Sequence, residues 1–495
     1  QYWFVAGRHA VAMMEGALES AAEQRDRRRG LYVVYFTMFN MSLGFSIVIT
    51  GLWPYLKKLD PAAGKEFLGY AVAAHPFGQM VTSPLAGRWG DRGAVAPLRA
   101  GLLLCAAANA LYAELQRIGP GVKYWLLAAR FLVGASSSNV AVVRAYLSTA
   151  TLLHERTKAV AAVSLAQVSL PAQLSLATAA LTLLGPDGDF NMYTAAAWLN
   201  ALLCVINLIL FVPSCFREHH IAFKEAQQAA GETRTEGWKP PKPDKVGGWM
   251  LVAAFFALVF NFVLLETLGA PLTMDQFSWS VSEALQRMGI LMSVGAVVAC
   301  ITFAAITPLS KVFEERAMLI WGGFLLTALG SLFCIPWGPG PPPQREEGSQ
   351  DGGGCPVTAQ PWCATSLGLQ LGQFLVAYGC VSLGYPLGVT LIQTIFSKIL
   401  GPRPQGVWQG VLTGAGCLSR VLGPVCVSVV YARHGPAATF SLTLALTLTA
   451  MLALRLVYGR LAPPPLTFAE PSPAAVELQP LSAESDRRPK NDSSS

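Results

Sequence analysis

Apolar residues gather into runs of about 20 or more, separated by short stretches of charge, glycine and proline. A helix of about 20 residues crosses a hydrocarbon layer about 30 Å thick, whereas a spanning strand needs only about ten. The runs therefore predict helices, and about twelve of them: 31–53, 67–86, 97–115, 124–147, 159–184 and 192–216, then 246–270, 284–306, 317–337, 367–391, 407–431 and 437–458. Six fall on each side of a polar connector, 217–245, in which a short amphipathic helix is expected at 221–229. The expected fold class is an all-α polytopic membrane protein of two pseudo-symmetric six-helix bundles. Residues 1–30 precede the first bundle (31–216), a long loop at 338–366 interrupts the second (246–458), and 459–495 form a tail.

The halves share a local frame. Ser83-Pro84-Leu85, five residues, then Asp91-Arg92 is echoed by Thr307-Pro308-Leu309, five residues, then Glu315-Arg316. Each frame falls where an apolar run ends, which fits a duplicated unit.

Composition narrows the class further. Hydrophobic residues make up 53% and charged residues 13%, about half the charge of a soluble domain. A net charge of +7 would permit nucleic-acid binding in a soluble chain, but here the basic residues sit between apolar runs and act on orientation instead. Arg25, Arg27, Arg28 and Arg29 precede the first run, and the even-numbered connections carry Arg88, Arg92, Arg99, Arg156, Lys158, Lys311, Arg316, Lys398 and Arg403. Both ends are thus expected in the cytosol, with Lys57, Lys58 and Lys65 running against the bias. No cleavable leader is evident. Met13 or Met14 is a candidate start, and the first run would serve as its own signal. The tail past 461 is rich in Pro, Ser and charge and is expected to be disordered.

Of ten cysteines, only Cys355 and Cys363 lie close together outside the apolar runs. Two readings stand, a disulfide or a pair of free thiols. Neither Asn40-Met41-Ser42, in a span, nor Asn491-Asp492-Ser493, in the tail, is expected to be glycosylated.

There is no phosphate-binding loop of the Walker type and no clustered His/Cys spacing. An enzyme, an ATP-driven pump and a cofactor are therefore not expected, and candidate chemistry falls to charges inside the apolar runs. Each such charge costs about 2.5–3.5 kcal/mol on insertion scales unless it meets water or a partner. Arg420 is the clearest, mid-run among glycines. It reads either as an anion site or as half of an ion pair with Glu266. Arg130 lies about 9 Å inside its span at 1.5 Å per residue, deep enough to line a cavity and shallow enough to snorkel. Glu266 and Asp275 approach the lumenal face and read as groups that exchange protons in an acidic compartment, with Asp275, near a helix end, reading alternatively as a cap or a solvated group; His75 reads as a packing residue or a proton carrier.

Gly87-x-x-x-Asp91-Arg92 resembles the signature between the second and third spans of the major facilitator superfamily, and Arg130-x-x-x-Gly134 resembles a second signature of that family. Gly93 comes early in the first, Ser138 replaces a glycine in the second, and residues 167–171 lack the glycine-rich antiporter pattern. Longer segments, 51–56, 139–144, 271–275 and 397–407, are similar to lysosomal members of the same superfamily, and Cys355 and Cys363 match their paired lumenal cysteines. The resemblance implies alternating access around a central cavity. Arg130, Glu266 and Arg420 become cavity candidates, and Gly87, Asp91, Arg92, Glu315 and Arg316 gate or latch candidates. It further implies a small-molecule or ion substrate, with small anions such as chloride favoured, endosomal or lysosomal membrane as the site, lipid contact, sorting adaptors as partners, and no nucleic acid. Glu477-Leu478-Gln479-Pro480-Leu481 falls one residue short of an acidic dileucine signal. Proton-coupled movement of an organic solute, and a non-transporting receptor or scaffold with the same fold, are the alternatives.

Overall fold

The computed structural model describes residues 18–61, 63–119, 121–168, 191, 193–229, 243–345, 353–358 and 360–462. The later part of the expected fifth span, the middle of the connector, part of the long loop and nearly all of the tail lie outside the described residues, as do 169–171 of the antiporter region.

The first half comprises α1 (Ala21–Leu59), α2 (Lys65–Gly90), α3 (Val95–Ala113), α4 (Val122–Ser136), α5 (Asn139–Ala150), α6 (Arg156–Val168) and α7 (Thr194–Leu210). α8 (Ile221–Ala229) occupies the place of the amphipathic connector helix. The second half comprises α9 (Lys245–Phe277), α10 (Val281–Leu309), α11 (Glu315–Phe333), α12 (Leu371–Ile399) and α13 (Gly406–Leu456). Among the described residues, seven helical stretches are long and apolar enough to cross a membrane. α13 alone covers the eleventh and twelfth expected spans.

Local chemistry sets the boundaries. α1 starts ten residues before its apolar run because Ser20 and Glu23 form a reciprocal cap: the Glu23 amide donates to Ser20 Oγ and the Ser20 amide donates to Glu23 Oε2 at 2.8 Å. Ser280 and Glu283 start α10 in the same way. The expected fourth span is divided at Ser137-Ser138, where the Ser136 and Ser137 hydroxyls fold back onto the Val133 carbonyl and compete with the helix ladder. In α13 the break falls at Gly435, whose φ of +76° ends one helix left-handed, with Pro436 opening the next.

Each half has its own apolar core. Val34, Met38, Leu98, Val142 and Phe211 belong to the first, and Phe255, Leu258, Phe324 and Phe396 to the second. The halves meet along α2 and α13, with further contacts of α6 on α10 and α12, and of α5 on α13. We call the end of the molecule that carries Arg27, Asp91 and α8 proximal, and the opposite end distal.

At the proximal end α2 and α13 touch backbone to backbone. A Cβ added at Gly406 would lie 2.0 Å from the Gly87 carbonyl oxygen, at Gly410 2.5 Å from that of Ser83, and at Gly414 3.6 Å from that of Met80. The helices therefore splay toward the distal end, with Arg420 beyond the last of these contacts. α8 straps the proximal face, with Glu225 accepting from the Leu153 amide at 2.9 Å and Ile221, Ala222 and Ala226 buried beneath it. Burial pushes the Glu225 carboxyl up from its ordinary range, opposed by that amide bond.

At the distal end Cys355 and Cys363 are joined by a disulfide. The loop they close is folded onto the second half. The Gly354 amide donates to the Met274 carbonyl at 3.0 Å, and the Leu369 amide to Gln276 Oε1 at 2.8 Å. The Trp362 ring meets Tyr431 edge-on at 5.3 Å and covers Gly435, where a Cβ would come within 2.7 Å of the indole.

Candidate functional site

The splayed interface between the halves gathers charge that the cores exclude. Arg130 comes from α4, His75 from α2, Glu266 from α9, Tyr385 from α12 and Arg420 from α13. Close approach of α2 and α4 depends on Gly134, where any Cβ would fall 2.0 Å from the His75 carbonyl oxygen. That approach places His75 Nε2 3.2 Å from Ser137 Oγ and buries Arg130 completely.

Arg130 is poorly matched. Its Nε donates to the Ala71 carbonyl at a long 3.5 Å, and neither terminal nitrogen has a hydrogen-bond partner among the described residues. Buried polar groups are normally paired, and a buried charge more so. Arg420 belongs to the opposite half. It bonds side chain to side chain with Tyr385, whose ring stacks on Phe262 at 4.1 Å. Glu266 is exposed and acts on Arg420 electrostatically. Both Arg130 and Arg420 act electrostatically on His75, so the three cavity candidates share one region with two guanidinium groups against one carboxylate. Asp275 lies apart, accepting from the Tyr431 hydroxyl at 2.9 Å.

The gate candidates divide differently from their order in the chain. Asp91 does not pair with Arg92. Its two oxygens accept from the backbone amides of Gly406 at 2.6 Å and Val407 at 3.3 Å, at the start of α13 in the other half. Burial pushes the Asp91 carboxyl above its ordinary range, and the two amide bonds oppose the rise. Arg92 is exposed; its amide donates to the Trp89 carbonyl at 3.0 Å, and its side chain makes no hydrogen bond among the described residues. The echo behaves alike: Glu315 crosses to Thr157 near the start of α6, accepting from its hydroxyl, and Lys398 lies 2.7 and 2.8 Å from the Glu315 carboxylate oxygens. Arg316 stays in its own half, paired with Glu314 and donating to the Tyr458 carbonyl at 3.1 Å. Each half thus sends an acid to the start of a helix in its partner half.

Four participants escaped the sequence reading. Thr157 and Tyr385 carried no local signal, and Lys398 entered only as a basic residue of a connection. Arg144, on α5, did: it is a charge inside an apolar run, held by Thr413 Oγ1 and Gln167 Oε1, each at 3.3 Å. Among the described residues no group of three His, Cys, Asp or Glu side chains is placed to hold a metal ion.

Comparison with known proteins bears on the family and the fold. The profile described as Major Facilitator Superfamily matches residues 34–343. The chain is 35% identical over 482 residues to Major facilitator superfamily domain-containing protein 8 of Xenopus laevis, covering 90% of this chain and 94% of that protein. Among solved structures, the human organic anion transporter MFSD10 (TETRAN) superposes with a TM-score of 0.62 at 18% identity, covering 86% of this chain and 99% of that one. The proton:xylose symporter XylE gives 0.62 at 13%, covering 88% and 96%. The fold is that of membrane transporters, and the chain belongs to the Major Facilitator Superfamily.

Proposed function

We propose that the chain moves small anions, chloride among them, across an endosomal or lysosomal membrane by exposing one central site to the two faces in turn. The observation that carries this is Arg130: a fully buried guanidinium whose terminal nitrogens have no hydrogen-bond partner, and which no carboxylate neutralises, among the described residues. An entering anion supplies both the missing acceptors and the missing charge. Arg420 supports the reading by bringing a second guanidinium to the same region from the other half, so that an occupant bridges the two. The proximal face, with Arg25, Arg28, Arg88, Arg92, Lys158 and Lys311, is the cytosolic one by the bias of basic residues. Asp91 and Glu315 act as the gate contacts on that face.

The test is anion flux into vesicles reconstituted with the full chain, at acidic pH on the distal side. Chloride-dependent flux is expected, falling at least tenfold in Arg130→Met and in Arg420→Ala. Absence of flux above empty vesicles for every anion tried overturns the proposal. Proton-coupled movement of an organic solute is the second reading, and exposed Glu266 facing Arg420 favours it. A proton flux that requires the organic solute and is lost in Glu266→Gln would select it.

A further inference from the structure

The first half holds a polar cluster within its own packing, built by α1, α3 and α7 alone. Each helix contributes two positions four residues apart, which fall on one face. α3 brings Cys105 and Asn109, α7 brings Asn200 and Cys204 in the reverse order, and α1 brings Asn40 and Gly44. α3 and α7 pack side by side, and the glycine on α1 makes room for the amide between them: a Cβ at Gly44 would lie 2.2 Å from Asn200 Nδ2.

The cluster is buried and chemically one-sided. The three asparagines are 0% exposed, Cys105 2% and Cys204 1%. The two thiols bond to each other side chain to side chain. Asn40 Nδ2 donates to Cys204 Sγ at 3.4 Å, and Asn109 Nδ2 to Cys105 Sγ at 3.4 Å, with Asn200 Nδ2 3.9 Å from the same sulfur. The amide nitrogens are thus spent on sulfur. All three Oδ1 atoms are buried without a hydrogen-bond partner among the described residues. They belong to the same carboxamides and therefore lie beside the sulfurs.

Surplus acceptors call for a donor or a cation. A water molecule has two protons for three oxygens and leaves the thiols unused. An alkali ion suits the oxygens but brings a charge that no carboxylate in the cluster offsets. A divalent ion of the zinc class uses both kinds of atom. Two S–H bonds break, two metal–sulfur bonds form and two protons leave to bulk solvent, so that one doubly charged cation and two thiolates sum to zero. The amide N–H groups already aimed at the sulfurs stabilise the thiolates, and the free oxygens complete the coordination shell. Two Zn–S bonds of about 2.3 Å at a tetrahedral angle set their sulfurs about 4 Å apart, the separation at which two thiols hydrogen-bond.

We infer that Cys105 and Cys204, with the amide oxygens of Asn40, Asn109 and Asn200, bind one divalent cation of the zinc class. The ion binds the folded chain alone and stabilises it by mass action. Every ligand belongs to the first half, so the site stays whole as the halves move, and it depends neither on Arg130 nor on the proposed function.

The test uses the full chain in lipid nanodiscs, with the exposed Cys215 and Cys426 changed to Ser so that they do not take up metal themselves. Cadmium is the probe, because bonding to thiolate gives it an ultraviolet charge-transfer absorption. The protein should bind one equivalent, release two protons and melt several degrees higher, and zinc should compete. Cys105→Ser combined with Cys204→Ser should abolish the absorption and the melting shift. Cys334→Ser, which removes a buried thiol of the second half, should keep both. Asn40→Leu leaves both thiols in place and should weaken binding at least tenfold. The inference is overturned if the parent binds no cadmium, if the absorption survives the double substitution, if Asn40→Leu binds as the parent does, or if the chain denatured without reductant carries Cys105 and Cys204 joined as a disulfide.

Discussion

Gly87 and Gly406 face each other across the two halves so closely that a Cβ on either would sit 2.0 Å from the other's carbonyl oxygen. No side chain intervenes, so closure of the proximal face is a contact of two backbones. Gly87→Ala should cost the closed form about 1–3 kcal/mol, the usual penalty of overpacking, and shift its population about 5- to 150-fold. Labelling of a cysteine placed at Ser83, which is buried in this contact, should rise accordingly. Unchanged labelling would show that the helices do not separate here.

Asp91 gives a prediction in which sign matters. Its carboxyl is raised in the closed form and returns to its ordinary range when the face opens, so the closed form binds the proton more readily. Lowering the pH on that face through this window should favour closure. Asp91→Asn keeps an acceptor for the Gly406 amide and should close about as well as the parent, without the pH dependence. Asp91→Ala leaves two amides unpaired and should open the face, costing about 1–3 kcal/mol. Cysteine labelling across a pH series separates these outcomes, and equal defects in Asn and Ala would refute the account.

Arg130 should trade stability for activity. Replacing it with Met removes an unmatched buried charge and keeps most of the volume. Thermal unfolding should therefore show a gain of about 0.5–2 kcal/mol while anion flux is lost. A large loss of stability would mean that the guanidinium is a structural member with partners of its own.

The Cys355–Cys363 bridge closes a short loop whose anchors are in place. Replacing both with Ser should lower stability by about 2–3 kcal/mol on the chain-entropy scale, read from denaturation of the full chain. Flux per folded molecule should stay near the parent's.

The helices and the polar breaks between them were legible because each is a local pattern, a run of apolar residues or a charged turn. Partners were not. Asp91 and Arg92 are adjacent in sequence, yet Asp91 meets residues more than three hundred positions away while Arg92 faces outward. Glu266 was legible as a mate for Arg420, and the structure puts it in electrostatic range. That Arg130 meets no acid among the described residues was not legible, because it depends on what its neighbouring helices do not supply. Gln393 illustrates the same limit. A glutamine in an apolar run is unremarkable until both of its ends are found without partners beside Arg144.

The loop over Gly435 has a mechanical consequence. Its contacts described above, with Met274, Gln276 and Tyr431, all fall in the second half and tie α9 and α13 at one end. The two halves are therefore unequal in stiffness. The second behaves as a chassis and the first as the moving arm, so distances between spin labels across the distal tips of α9 and α13 should hold constant through a cycle in which labels spanning the two halves do not.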